Sequence, residues 1–334
     1  MTTTNSRDRV GIVPLDAPGE SLDDKRLSIC KAETGQLSSK SMWKTKSLAT
    51  PAGFNFGLTV LSHGWKELAP FEYDDISREL RYTFRTGAGK PVGAAIRHKR
   101  NMLEVELDRS VTEKSDIPDQ VRHIFRLDDD LGHFYETFCV DNELNWVRTR
   151  GAGRLLRSPT VFEDLVKTMC TTNCSWALTR KMVSNLVVLL GDRNEENGTA
   201  AFPTAEAMAN QNEKFYRNQI KAGYRSPYFV ELAEAVASKK VDPEAWLKSD
   251  LPTAELKKEI KSIKGIGDYA AENMLKLLGR YDGLALDSWL RGQFYKKHNA
   301  SKVCSDKKIE KRYARFGEWK GLAIWCDMTE HWHQ

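Results

Sequence analysis

The sequence contains no apolar run near the ~20 residues needed to cross a bilayer, which argues against a membrane span and a membrane partner. Its first residues, MTTTNSRDRV, lack the apolar stretch of a secretory signal, so the expected location is intracellular, in cytoplasm and nucleoid or in a nucleus. Cysteines are few and scattered: Cys30, Cys139, Cys170, Cys174, Cys304 and Cys326. Without export they are expected as free thiols. Cys170 and Cys174 share a helix face, but no His or further Cys stands near them, so core packing is favoured over a metal. No four-cysteine cluster closes the chain, which disfavours an iron–sulfur centre, and no cofactor is expected. A strong charge of one sign is also missing. The 51 Lys and Arg are offset by 46 Asp and Glu, and the net +5 leans only slightly toward a polyanionic partner.

What is present suffices for real cores: 40% of the 334 residues are hydrophobic and 29% are charged. Residues 1–42 are polar, with Thr/Ser clusters and a Pro-Gly turn, and read as a flexible N-terminal extension. From there to about residue 120 the apolar positions alternate. Phe54 to Val60 (FNFGLTV), Leu80 to Phe84 (LRYTF) and Met102 to Leu107 (MLEVEL) each follow a period of two, with a turn-rich break from Thr86 to Pro91. This predicts an antiparallel β-sheet domain over 43–120. Beyond it the period lengthens. Val161, Phe162, Leu165, Val166, Met169, Met182, Leu186 and Val187 fit helical spacing, as do the stretches 205–222, 227–238, 253–263, 269–279 and 288–297. The fold class is therefore α+β, a small N-terminal antiparallel sheet followed by a larger all-helical domain over 121–334.

The most informative segment is 253–298. Thr253 is placed to cap a helix whose apolar face includes Ile260 and Ile263. Lys264, Gly265, Ile266, Gly267 and Asp268 follow, and a second helix runs from Tyr269. A tight Gly-x-Gly hairpin ahead of a helix presents backbone N–H groups at a positive dipole end, which suits a DNA phosphate without reading base sequence. An ordinary helix–helix turn would use the same glycines. The second helix ends near Gly279. After the loop Arg280 to Gly283, Asp287 is placed to cap a third helix opening Ser288-Trp289.

Helix, hairpin, helix, glycine-containing loop and Asp-Ser-Trp together resemble the signature of the helix-hairpin-helix (HhH-GPD) superfamily of DNA glycosylases, although this loop lacks the usual proline. Residues 54–71 look like the opening sheet of the inducible 3-methyladenine glycosylases. Residues 151–176 and Gly223-Tyr224-Arg225 look more like the eukaryotic 8-oxoguanine glycosylases, and FGEWKGLAIWCDM resembles the closing helix of both. The resemblance implies a monomer acting on double-stranded DNA that contains a damaged base. It makes Asp287 the catalytic carboxylate and puts Tyr269 and Trp319 at the base pocket. Lys264, Gly265, Ile266 and Gly267 fall at the DNA backbone. Asn173 and Tyr224 fall at the gap left by the flipped nucleotide, and Arg225 lies near the opposite base. It also implies a monovalent cation on the backbone carbonyls of Lys261, Ile263 and Ile266, with no side-chain metal ligands.

Bifunctional relatives form a Schiff base through a lysine two residues after the second hairpin glycine, and here that position is Tyr269. Lys264 and Lys276 match neither place and are expected to face DNA or solvent, while Trp65 and Trp289 are expected to be structural. The expectation is a monofunctional, water-using enzyme for damaged purines. Alkylated bases are favoured, because electron-rich rings suit a cationic base. The alternatives are an 8-oxoguanine glycosylase and a non-catalytic DNA-binding hairpin protein.

Overall fold

The computed structural model describes residues 44–86, 89–108, 115–140 and 143–333. The extension read over 1–42 and Cys30 lie outside them. Five strands, β1 (Lys44–Ala49), β2 (Glu72–Asp74), β3 (Glu79–Arg85), β4 (Pro91–Lys99) and β5 (Met102–Leu107), form one antiparallel sheet in the order β1-β5-β4-β3-β2. The register sets Leu80 opposite Ile96 and Ile96 opposite Val105. These three side chains are at most 1% exposed, so the alternation in the sequence becomes one apolar row across the sheet.

The segment 54–60 departs from the strand expectation. It forms a short helix, α1 (Phe56–Val60), because Asn55 caps it: its side chain accepts the Leu58 N–H at 3.0 Å and donates to the Arg150 carbonyl at 2.9 Å. Phe56, Leu58, Thr59 and Val60 are all buried, and a helix covered on several sides carries no helical stripe to read. Helical structure thus begins inside 43–120, and α2 (Ile117–Phe125) starts before residue 120.

The remaining helices are α3 (Gly132–Phe138), α4 (Asn145–Arg150), α5 (Val161–Thr171), α6 (Trp176–Leu190), α7 (Ala205–Ala209) and α8 (Glu213–Phe215). They are followed by α9 (Ser226–Ala237), α10 (Thr253–Lys261), α11 (Asp268–Leu278), α12 (Ser288–His298), α13 (Asp306–Tyr313) and α14 (Lys320–Thr329). The central one is α5. Thr160 caps it, and residues 161–170 are all buried. Sheet and helices belong to one compact unit, Met42–Gln334. A buried polar link joins them. The Tyr82 hydroxyl on β3 donates to Glu163 on α5 at 2.6 Å, and Lys167 pairs with the same carboxylate at 2.6 Å.

Candidate active site

Helices α10 and α11 enclose a six-residue turn, with Leu256, Ile260, Ile263 and Ile266 buried beneath it. Thr253 is the first residue of α10 rather than its cap. Pro252 holds the cap position, and the Thr253 hydroxyl instead donates to Asp282 at 2.9 Å. Gly265 has φ +89° and lies against the Tyr228 ring, where a Cβ would come within 2.6 Å, so the hairpin needs glycine here for both reasons. Gly267 caps α11 with no side chain of its own, leaving the first-turn N–H groups accessible at the dipole end. Lys264 is exposed and pairs with Glu231 at 2.8 Å.

Asp287 caps α12: its Oδ1 accepts the Leu290 N–H at 2.7 Å. The loop that delivers it is pinned along its length. Gly321 donates its N–H to Tyr281 at 2.7 Å, Ala285 donates to Glu272 at 2.5 Å, and Lys276 Nζ donates to Leu284 at 3.0 Å. A Cβ on Gly321 would overlap the carbonyl oxygens of Tyr281 and Gly283, so α14 meets this loop backbone to backbone. Tyr269 stands beside Asp287, and burial first, then that carboxylate, push its phenol well above the ordinary range. Tyr269 therefore carries a phenol that stays protonated at neutral pH.

Asp287 and Tyr269 both line a cavity of about 680 Å³. Trp319 is not among its lining residues. It stacks between Phe134 at 5.2 Å and Tyr281 at 5.3 Å. The aromatic wall is built instead by Trp65, Trp176, Trp289, Trp325 and Trp332, so Trp65 and Trp289, expected to be structural, line the cavity as well. Their packing fixes them: the Trp65 indole donates to Asp164 at 2.7 Å, Trp325 donates to the Ser62 carbonyl at 3.0 Å, and Trp289 lies 5.2 Å from Trp332. His63 also lines the cavity, and burial lowers its pKa to about 4, so it is neutral at pH 7. A larger groove of about 1060 Å³ on the sheet side holds none of the sequence-predicted site residues.

Lys276 is not solvated. It is 2% exposed, lines the cavity and has its pKa lowered to about 8, chiefly by burial. The signal that could have found it is its spacing. Tyr269, Asn273 and Lys276 stand at i, i+4 and i+7 on α11 and form one stripe along the cavity.

Asn173, Tyr224 and Arg225 meet around Thr172. Arg225 Nε donates to the Thr172 hydroxyl at 3.1 Å, and the Tyr224 hydroxyl lies 3.4 Å from it. Asn173 follows directly, exposed and at φ +44°. Tyr224 is half exposed and stacks over the Arg225 guanidinium at 4.5 Å, while Arg225 itself is buried with one guanidinium nitrogen unpartnered. Tyr228 lies 6.2 Å edge-on from Tyr224 and touches the hairpin at Gly265, so these residues and the hairpin are linked through one ring.

Cys139, Cys170, Cys174, Cys304 and Cys326 are free thiols. Cys174 donates to the Cys170 carbonyl at 3.0 Å, and among the described residues no cluster of His, Cys, Asp and Glu is arranged to hold a metal. No helix of the described residues is long and apolar enough to cross a membrane.

In fold, the chain resembles the helix-hairpin-helix DNA glycosylases. It superposes on a 3-methyladenine DNA glycosylase from Archaeoglobus fulgidus with a TM-score of 0.69 and 20% identity, over 86% of this chain and 99% of that one. The structure of MBOgg1 with a low-affinity DNA ligand gives a TM-score of 0.69 at 18% identity, over 87% and 96%. In sequence, the chain is 24% identical over 230 residues to a probable N-glycosylase/DNA lyase of Methanothermobacter thermautotrophicus, covering 61% of this chain and 70% of that protein. No family model matches it.

Proposed function

We propose that the chain is a DNA glycosylase of base excision repair, and a monofunctional one, which turns a damaged purine into the tryptophan-walled cavity and hydrolyses its N-glycosidic bond through Asp287. The observation that carries this is the placement of Asp287. The carboxylate is held at the start of α12 by the Leu290 N–H, stands beside Tyr269 and lines a cavity large enough for a base. Breaking the bond builds positive charge on the sugar, which a fixed carboxylate stabilises while it takes a proton from the attacking water. A base stacked in a duplex cannot reach such a cavity, so the nucleotide must leave the helix. Asn173 and Tyr224 fill the gap, the buried Arg225 supports Tyr224 from beneath rather than facing the opposite base, and the hairpin from Lys264 to Gly267 holds the phosphates. The carbonyls of Lys261, Ile263 and Ile266 would hold a monovalent cation; the Ile263 oxygen accepts the Ile266 N–H at 3.1 Å and keeps its second lone pair.

Alkylated purines are the first substrate class, since five indoles line the wall and electron-rich faces attract a cationic base. A second reading, removal of neutral oxidised or deaminated purines, is favoured by the buried Lys276. Duplexes carrying 3-methyladenine-like, hypoxanthine, uracil and 8-oxoguanine bases separate the two. Strand breaks are expected only after alkali, and borohydride is expected to trap no covalent protein–DNA adduct. A trapped adduct would overturn the monofunctional assignment.

The hairpin has its own test. Gly265→Ala places a β-carbon in left-handed backbone and against Tyr228, a strain of about 1–2 kcal/mol before any rearrangement. Affinity for a duplex with an abasic-site analogue, read by fluorescence anisotropy, is expected to fall about tenfold, equivalent to ~1.4 kcal/mol. Unchanged affinity would remove the hairpin from the DNA interface.

A further inference from the structure

We propose that Lys276 is the acid for the departing base: its ammonium meets the far edge of a flipped neutral purine and gives it a proton as the N-glycosidic bond breaks. This rests on the glycosylase reading of the cavity. Tyr269 stands in the first turn of α11, beside Asp287, and Lys276 in the last. Seven residues separate them, about 10 Å along the helix axis, so a base whose sugar sits at Asp287 extends toward Lys276.

Beyond the bond by which it pins the Asp287 loop, the lysine has hydrogen-bonding capacity that the fold does not use. Among the described residues its Nζ makes one hydrogen bond, to the Leu284 carbonyl, and no ion pair. Two of the three N–H groups of the ammonium remain for a ligand. The Trp325 face lies 5.6 Å away and supports the charge. An ammonium buried without a contacting carboxylate opposes folding, which gives a core position no reason to keep one. The groups facing it are Glu272 on its own helix, Asp287 at the cap of α12 and Cys326 on α14; the two carboxylates oppose the effect of burial and keep the lysine charged at neutral pH.

The step balances within these groups. The C1′–N9 bond breaks and its electron pair stays on the base. The base takes a proton from Lys276, at O6 or N7 in hypoxanthine and at O6 in 8-oxoguanine, whose N7 already carries hydrogen, and the lysine becomes a neutral amine. Water adds to C1′ and gives its proton to Asp287, and passage of that proton through solvent to the amine restores both groups. A base that is already cationic leaves as a neutral molecule and needs no such acid. Lys276 thus extends the substrate class to neutral purines.

The test compares single-turnover excision of hypoxanthine and 8-oxoguanine with that of 7-methylguanine, for the whole protein and for Lys276→Met and Lys276→Gln. The variants are expected to lose about 100-fold more on the neutral bases than on 7-methylguanine, where only the loosened Asp287 loop is felt. For the unsubstituted protein, kcat/KM on hypoxanthine is expected to fall above a pH of about 8, with no such limb on 7-methylguanine. That profile decides the matter even where a melting curve shows that both variants fail to fold. Equal losses on all bases, no loss, or an alkaline limb missing from the neutral bases would overturn the proposal, as would excision of 7-methylguanine alone, which leaves the glycosylase reading intact. If no base is released from any duplex, both fall together.

Discussion

Asp287→Asn is expected to lower base excision by about 10³-fold while leaving the fold and DNA affinity almost unchanged. The two halves of this expectation have separate physical grounds. The cap bond from the Leu290 N–H goes to a side-chain oxygen that asparagine also has, and Asn caps helices about as well as Asp. The amide has no negative charge to set against the developing oxocarbenium ion, and it cannot take a proton from water. Single-turnover kinetics on the best lesion duplex measures the first effect; thermal melting and anisotropy on abasic-site DNA measure the second. A variant that excises within a few-fold of the parent would mean that Asp287 is a cap and nothing more.

Lys167→Met is expected to cost about 3–5 kcal/mol of folding stability. Lys167 is fully buried and pairs with Glu163, which is 2% exposed and also accepts from Tyr82. Methionine fills the volume but leaves a carboxylate in the core with only the phenol as partner. Guanidinium unfolding measures the loss. The double variant Lys167→Met, Glu163→Leu is expected to recover part of it, because replacing a whole buried pair by apolar groups is far cheaper than breaking it. A single-variant loss below about 1 kcal/mol would show that the pair behaves like a surface one.

The parts of this molecule legible in the sequence are those written locally. The hairpin from Lys264 to Gly267 and the capping aspartate depend on spacing within a few dozen residues, and both stand where that spacing puts them. Strand β5 carries its alternation because one face is buried and the other is partly open, whereas in β3 Glu79 and Thr83 on the opposite face are buried as well. Segment 54–60 carries the same alternation, yet one asparagine cap and burial on several sides make it a helix. The cavity wall was less legible, since its tryptophans come from five separate places in the chain and only tertiary packing selects them. Trp319 and Trp325 stand six residues apart near the C-terminus, but packing puts one in an aromatic stack and the other on the cavity. Lys276 was hidden by a prior: a lysine in a helix is normally solvated, and only the stripe it shares with Tyr269 and Asn273 argues otherwise.

The close approach at Gly321 bears on how sequence variation in this chain should be interpreted. Its N–H holds Tyr281, and its missing side chain leaves room for the carbonyls of the loop that ends in Asp287. Every missense change at this codon puts a β-carbon into that contact and shifts the loop. Given the role proposed for Asp287, a side chain at position 321 is expected to lower excision, although its residue does not line the cavity.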